Sequence, residues 1–149
     1  MKALDKIFLS FQIGNDIFAV DALKVDHILE LPSHITKVPN TPEYLLGIIN
    51  LHGNIIPVAD MRIIMHIEEI INGTDTSIIV LNPTGNQDAK IGILVDSVRE
   101  VIETSNFDLK ETILEGNKGL LDSFEGTFIR NDQFIHVIDI NNLTEIIEQ

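Results

Sequence analysis

Side chains able to do chemistry are present in this sequence, but they are not grouped as chemistry requires. The five histidines, His27, His34, His52, His66 and His136, stand singly. None is spaced from another, or from a carboxylate, as a ligand pair on one helix face would be, so any metal site must be assembled by the fold. Ser10, Ser33, Ser77, Ser97, Ser105 and Ser123 have no nucleophile-elbow context. Gly47 and Gly53 sit within a hairpin pattern, and no Gly-Lys-Ser or Gly-Lys-Thr follows a strand, so no phosphate loop is expected. With no cysteine there is no thiolate nucleophile and no disulfide. Neither a catalytic residue, a metal nor a cofactor is expected.

The carboxylates divide into two groups. Glu68, Glu69, Glu145 and Glu148 read as a solvated face, whereas Asp21, Asp60, Asp96 and Asp139 each follow an apolar strand pattern. An aspartate there typically accepts hydrogen bonds from nearby backbone amides and fixes a corner. That predicts a structural role for all of them.

The rest of the composition limits what the chain can bind. A net charge of −13 repels phosphate backbones and anionic lipid, so nucleic-acid binding is not expected. The N-terminus carries Lys2, Asp5 and Lys6 and does not read as a signal peptide, and no apolar run is long enough to span a membrane. A cytoplasmic protein without direct membrane insertion is expected. Isoleucine-rich strands with few aromatics favour β-structure, because a stiff branched side chain suits a pleated, half-buried surface.

The elements follow from alternation and turn residues. Ile7–Ile13 and Ile17–Val20 form a hairpin about Gly14-Asn15-Asp16, and Asp21-Ala22-Leu23 makes a corner before a strand at Val25–Leu31, which Pro32 ends. Leu45–Arg62 is a long hairpin turning at His52-Gly53-Asn54. Its second strand carries Pro57, which predicts an edge or a bulge. Arg62–Ile71 fits a short helix or an irregular excursion. Ser77–Leu81 and Lys90–Asp96 pair, Val98–Glu103 is a strand, Ile113-Leu114 is a short strand, and Phe128–Ile140 is a last hairpin. Asn142, with Glu145 three residues on, predicts a capped C-terminal helix.

An internal repeat organises these pieces. Gly47, Ile56, Val58 and Asp60 recur as Gly126, Ile135, Val137 and Asp139 at a spacing of 79, and Asp21 recurs as Asp96 at a spacing of 75. One strand-rich unit is used twice. Units of that size leave too many edges as open sheets, and closing each sheet on itself removes them.

Gly47-Ile48-Ile49-Asn50-Leu51-His52-Gly53-Asn54-Ile55-Ile56-Pro57-Val58-Ala59-Asp60-Met61-Arg62 resembles the signature of CheW-like domains, G-hydrophobic-hydrophobic-N-L-R-G-x-hydrophobic-hydrophobic-P-V-hydrophobic-D-L-R. Tyr44-Leu45-Leu46, Ile17–Val20 and Gly92–Val98 also match, so the resemblance covers nearly the whole chain. It implies an all-β fold of two interlocked five-stranded SH3-like barrels, with short helical segments and a short C-terminal helix, as a single domain over residues 1–149. It further implies a non-enzymatic chemotaxis adaptor with two partners: the cytoplasmic tip of methyl-accepting chemoreceptors, and the regulatory domain of the histidine kinase CheA. Such an adaptor works at membrane chemoreceptor arrays from the cytoplasmic side. No receiver domain is expected after Gln149.

By position, the resemblance implies a receptor-binding groove of Val25, His27, Ile28, Gly47, Asn50 and His52, with Val25 and Ile28 packing on a receptor helix and Gly47 allowing close backbone approach. Kinase-facing residues are not assigned, because barrel-surface apolar residues look like core in sequence. At one position the chain departs from the family: His52 stands where Arg is usual. Arginine is always charged and forks to two acceptors, whereas histidine is shorter and mostly neutral near pH 7. The change marks either a specialised partner or drift at an exposed turn. The competing reading is a small-molecule-binding or enzymatic β-barrel with its ligand between the barrels.

Overall fold

The computed structural model describes residues 5–30, 35–67, 76–86, 89–105, 109–110, 119–121 and 124–148. The strands are β1 (Asp5–Ile13), β2 (Asp16–Asp21), β3 (Val25–Glu30), β4 (Leu45–Leu51), β5 (Asn54–Asp60), β6 (Ser77–Leu81), β7 (Ile91–Val95), β8 (Ser97–Ser105), β9 (Phe124–Arg130) and β10 (Gln133–Ile138). A 3-10 turn at Ala22–Lys24 and two helices, α1 (Met61–Ile64) and α2 (Ile140–Ile147), complete the described elements. The strands form two five-stranded sheets, ordered β8-β1-β2-β10-β9 and β3-β6-β7-β5-β4.

The two orders are the same pattern with the halves exchanged. The β1–β2 hairpin is joined by β8, β9 and β10 from the far half, and the β6–β7 hairpin by β3, β4 and β5 from the near half. Each exchange uses one antiparallel ladder, β1–β8 or β3–β6, and one parallel ladder: Ile17, Phe18 and Ala19 lie beside Ile135, His136 and Val137, and Val58, Ala59 and Asp60 beside Gly92, Ile93 and Leu94. This is the interlocked, SH3-like pair of barrels expected from the sequence.

Alternation sorts the apolar residues into three clusters. Ile49, Ile56, Val58, Ile78, Val80 and Leu94 fill one barrel; Phe8, Ala19, Ile102, Phe128, Ile135 and Val137 fill the other. The third lies between them and joins Phe11 and Phe18 from one sheet to Ile79 and Ile93 from the other, with Leu143, Ile146 and Ile147 of α2 packed in. Tyr44 Oη also donates to the Ile146 carbonyl at 2.7 Å. Both interiors and the seam are occupied by this chain's own side chains, the place the competing reading reserves for a ligand.

The repeated residues do the same work twice. Asp60 Oδ1 accepts from the Arg62 amide at 2.9 Å and caps α1; Asp139 Oδ1 accepts from the Asn142 amide at 3.2 Å and caps α2. Asp21 Oδ1 accepts from the Leu23 amide at 2.9 Å, and Asp96 Oδ2 from the Gly14 amide at 2.7 Å. Asp21, Asp60 and Asp139 thus fix the corners predicted for them, whereas Asp96 bonds across to the β1–β2 turn, 82 positions away in the chain. The α2 cap differs from expectation. Asp139, not Asn142, caps the helix, because the helix starts at Ile140 and leaves Asn142 as a buried helical residue.

Gly47 (φ 152°) and Gly126 (φ 155°) share a backbone conformation that side chains rarely adopt. A Cβ on Gly47 would lie 2.2 Å from the Thr36 carbonyl oxygen, and one on Gly126 would lie 2.8 Å from that of Lys110. In each barrel a passing segment bonds the residue after the glycine. Thr36 and Ile48 exchange amide–carbonyl bonds of 2.9 and 2.8 Å, and Lys110 and Thr127 exchange bonds of 2.8 and 2.7 Å.

That arrangement also corrects the expectation for Pro57. β5 is not an edge strand and carries no bulge at Pro57, for it lies between β4 and β7. Pro57 is tolerated because Ile48, its cross-strand partner, spends both backbone groups on Thr36, and the ladder to β7 begins only at Val58. The expected strand at Ile113-Leu114 lies outside the described residues, as do Leu31 and Pro32.

Gly47→Ala and Gly126→Ala should each lower unfolding free energy in urea by about 2–4 kcal/mol, combining a strained φ with a backbone clash. Gly53→Ala, also at positive φ but with nothing near its Cβ position, should cost only about 1 kcal/mol.

His136 is buried, bonds Thr127 Oγ1 at 2.8 Å and packs against Phe18 and Phe124. Burial, opposed by the Asp16 carboxylate, holds its pKa below the ordinary histidine value. The unfolded chain then takes up a proton at a higher pH than the folded one. Its contribution is therefore complete above about pH 6.5 and declines as pH falls toward the lowered folded value. His136→Gln should flatten that part of the stability–pH curve, measured by urea unfolding between about pH 5 and 8.

Candidate functional site

The β3–β7 sheet brings His27 and His52 into contact, with Asn50 on the same turn as His52, whereas Val25, Ile28 and Gly47 face elsewhere. β3 and β4 are the sheet's two edges, yet their surroundings meet: the His27 and His52 rings lie 5.7 Å apart, tilted by 44°. Thr36, from the segment after β3, bridges to Ile48 on β4. The edges thus face each other, as closure of a barrel requires. The other barrel has a counterpart contact at its own edges, Arg130 Nε to Glu100 Oε1 at 3.5 Å.

The turn that carries His52 explains its prominence. His52 (φ 51°) and Gly53 (φ 86°) are both left-handed, as a two-residue hairpin turn with the twist of its strands demands. Histidine is among the few non-glycine residues enriched in that region. Asn50 Oδ1 accepts from the Gly53 amide at 3.0 Å and steadies the turn. Asn131 (φ 51°) and Asp132 (φ 63°) form the equivalent turn in the second half.

β3 distributes its residues over two faces. A register shift between Val25 and His27 leaves Asp26 as a bulge. Leu29 packs toward the barrel interior, and by alternation His27 points to the same side at the rim. Ile28 faces the other way, opposite Ile79, and is 49% exposed; Val25 packs beside the inter-barrel cluster. Asn50 is exposed on the outer face of the hairpin, directly across from Ile55, itself 62% exposed. Gly47 is buried, and the close approach it permits is made by Thr36 of this chain.

Three residues of this rim were not singled out in the sequence. Asp26 accepts from His27 Nδ1, and Lys90 Nζ, almost fully buried, donates to the same carboxylate oxygen at 3.1 Å. Burial works to raise the Asp26 carboxyl, but the bonds from His27 and Lys90 outweigh it and hold the pKa below the ordinary value. The signals available were an adjacent Asp-His pair and one lysine opening an apolar run. Ile55 was legible too, as the outward neighbour of inward Ile56. Among the described residues no three metal-ligating side chains converge.

The signature hairpin ends in a further charged group. Arg62 Nε lies 3.3 Å from Asp60 Oδ1 and 3.6 Å from buried Asp96 Oδ1, tying the end of β5 to the end of β7. The invariant-looking Asp-Met-Arg end of the motif is thus spent on holding the exchanged strands together.

The CheW-like domain model matches residues 8–148. The chain belongs to the CheW-like family. Its relatives include the chemotaxis protein CheW of Klebsiella aerogenes, 36% identical over 95 residues that cover 64% of this chain and 55% of that protein. The CheW of Thermotoga maritima is 31% identical over 137 residues, covering 92% of this chain and 86% of that one. In three dimensions, the crystal structure of the scaffolding protein TtCheW from Thermoanaerobacter tengcongensis superposes with a TM-score of 0.79 at 30% identity, covering 91% of this chain and 90% of that chain. The CheW-like family is one of chemotaxis coupling and scaffolding proteins, and the two-barrel fold described above is its fold.

The Lys90–Asp26 pair should be visible in acid. A carboxyl with a lowered folded pKa stabilises the fold above the ordinary carboxylate range, and that contribution is lost as pH falls through the folded value. In Lys90→Met the Asp26 carboxyl should titrate at a higher pH by carbon-detected NMR, and its share of the acid-labile stability should shrink.

Proposed function

We propose that this chain couples the cytoplasmic tips of chemoreceptors to the histidine kinase CheA, acting as a non-enzymatic adaptor on the cytoplasmic side of receptor arrays. Its two barrels work as one domain over residues 1–149. The reading is supported by family membership and by barrel interiors lined with the chain's own apolar side chains. No described helix is long and apolar enough to cross a membrane, which fits a protein that reaches the membrane through its partners.

The receptor helix docks on the rim where β3 meets the β4–β5 turn. Val25, His27, Ile28, Asn50 and His52 form the contact, and Gly47 supports it from beneath by admitting Thr36. The observation that supports this placement is the His27–His52 contact, which brings β3 beside the signature turn, with Ile28 half exposed on the other face of the same edge strand. An exposed isoleucine beside polar turn residues is suited to an amphipathic helix, whose apolar stripe needs an apolar anchor and a polar rim. The regulatory domain of the kinase binds elsewhere on the barrels.

Ile28→Asp should leave the unfolding midpoint nearly unchanged, since the side chain is half exposed, and should weaken binding of a receptor-tip fragment by tenfold or more, about 1.4 kcal/mol. Binding of the kinase regulatory domain, titrated in parallel by calorimetry, should be unaffected. Equal receptor binding by both versions would place the receptor surface on another part of the fold.

A further inference from the structure

We propose that the His27–His52 contact is a pH-sensitive clasp on this rim, closed while both rings are neutral and opened by protonation, which frees a cationic His52 to take a carboxylate of the partner helix. The inference deepens the receptor-site reading and rests on it. Its starting point is that the two rings meet across elements with no ladder between them, since β3 and β4 lie at opposite edges of their sheet.

The contact joins two side chains of the one type whose charge ordinarily changes between about pH 5 and 8. Neutral imidazoles can pack at a 5.7 Å centroid separation, whereas two imidazolium ions there repel. The surroundings decide which ring moves. His27 is tethered through Nδ1 to Asp26, and Asp26 is held in turn by Lys90 Nζ. His52 is bonded to no carboxylate among the described residues and stands exposed on a two-residue turn. It can rotate about its side-chain torsions without disturbing the backbone.

The elements packed around the pair supply few other charges. β6 has no ionisable side chain, and neither has the β4–β5 hairpin from Leu45 to Ala59 apart from His52. β3 contributes Asp26 and, at its end, Glu30; the described part of the segment between β3 and β4 contributes Lys37 and Glu43; and Lys90 precedes β7. Asp26 already serves His27 and Lys90, and no carboxylate among the described residues is bonded to His52. A carboxylate from a docking helix can take that place.

The test has two arms on the intact chain. Imidazole NMR across about pH 5 to 8 should show the two rings titrating as a coupled pair, and His27→Gln should leave His52 titrating in a single step. Affinity for a receptor-tip fragment should rise about tenfold as pH falls from about 7.5 to about 6. His52→Arg should bind tightly with no such pH dependence, and His52→Gln weakly with none. Independent titration of the rings, or an unchanged pH slope in His52→Gln, overturns the clasp. If the fragment binds no version at any pH, the receptor-site reading fails, and the NMR arm alone decides whether the clasp exists.

Discussion

The structure depends on two short parallel ladders that pair strands from opposite halves of the chain. Val58, Ala59 and Asp60 lie beside Gly92, Ile93 and Leu94, and Ile17, Phe18 and Ala19 beside Ile135, His136 and Val137. Without them the β9–β10 hairpin would part from β8-β1-β2 and the β4–β5 hairpin from β3-β6-β7, and a two-stranded hairpin on its own is marginally stable at best in water. Gly92 shows how close the approach is: a Cβ there would stand 3.2 Å from both Ile78 and Val58 methyl groups. The exchange also places Arg62 between Asp60 and Asp96, one carboxylate from each half. Two barrels built this way must form together.

Because the same unit is used twice, agreement and disagreement between the halves carry different meanings. Where they agree, the residue is frame: glycine at 47 and 126 to admit a passing carbonyl, aspartate at 60 and 139 to cap a helix, left-handed residues at 52 and 131 to turn a hairpin. Where they disagree, the same scaffold presents different surfaces. Asn50 and Ile55 face each other across one hairpin, and Ile129 and Phe134 occupy the corresponding places on the other, both more than 60% exposed. One barrel closes its edges with two imidazoles, the other with an Arg130–Glu100 pair.

Much of this was legible in the sequence, for identifiable reasons. Strand alternation, the Asn-Gly-type turns and the recurring Gly and Asp gave strands, hairpins and the two-unit plan, because each signal is local or repeats at a fixed spacing. The expectation for Pro57 failed because its tolerance is set at a distance, by Thr36 drawing the backbone groups of Ile48 away from it. The Asn142 cap failed by about one turn: the helix begins at Ile140, which packs into the inter-barrel core, so Asp139 caps it and Asn142 is a buried helical residue. Asp26 and Lys90 escaped notice because their bond spans 64 positions in the chain. The meeting of His27 with His52 was hidden likewise, since no periodicity links a bulged strand to a turn that closes against it.

His52 shows how a backbone constraint and a chemical role can be met by one residue. The turn needs a left-handed residue at that position, which any side chain other than glycine, asparagine, aspartate or histidine occupies less readily. An arginine placed there carries strain but always offers a charge. Histidine fits the turn more easily and makes the charge conditional. The ring it touches is held by Asp26, to which buried Lys90 also donates. The position of His27 is therefore set by contacts other than the one it makes with His52.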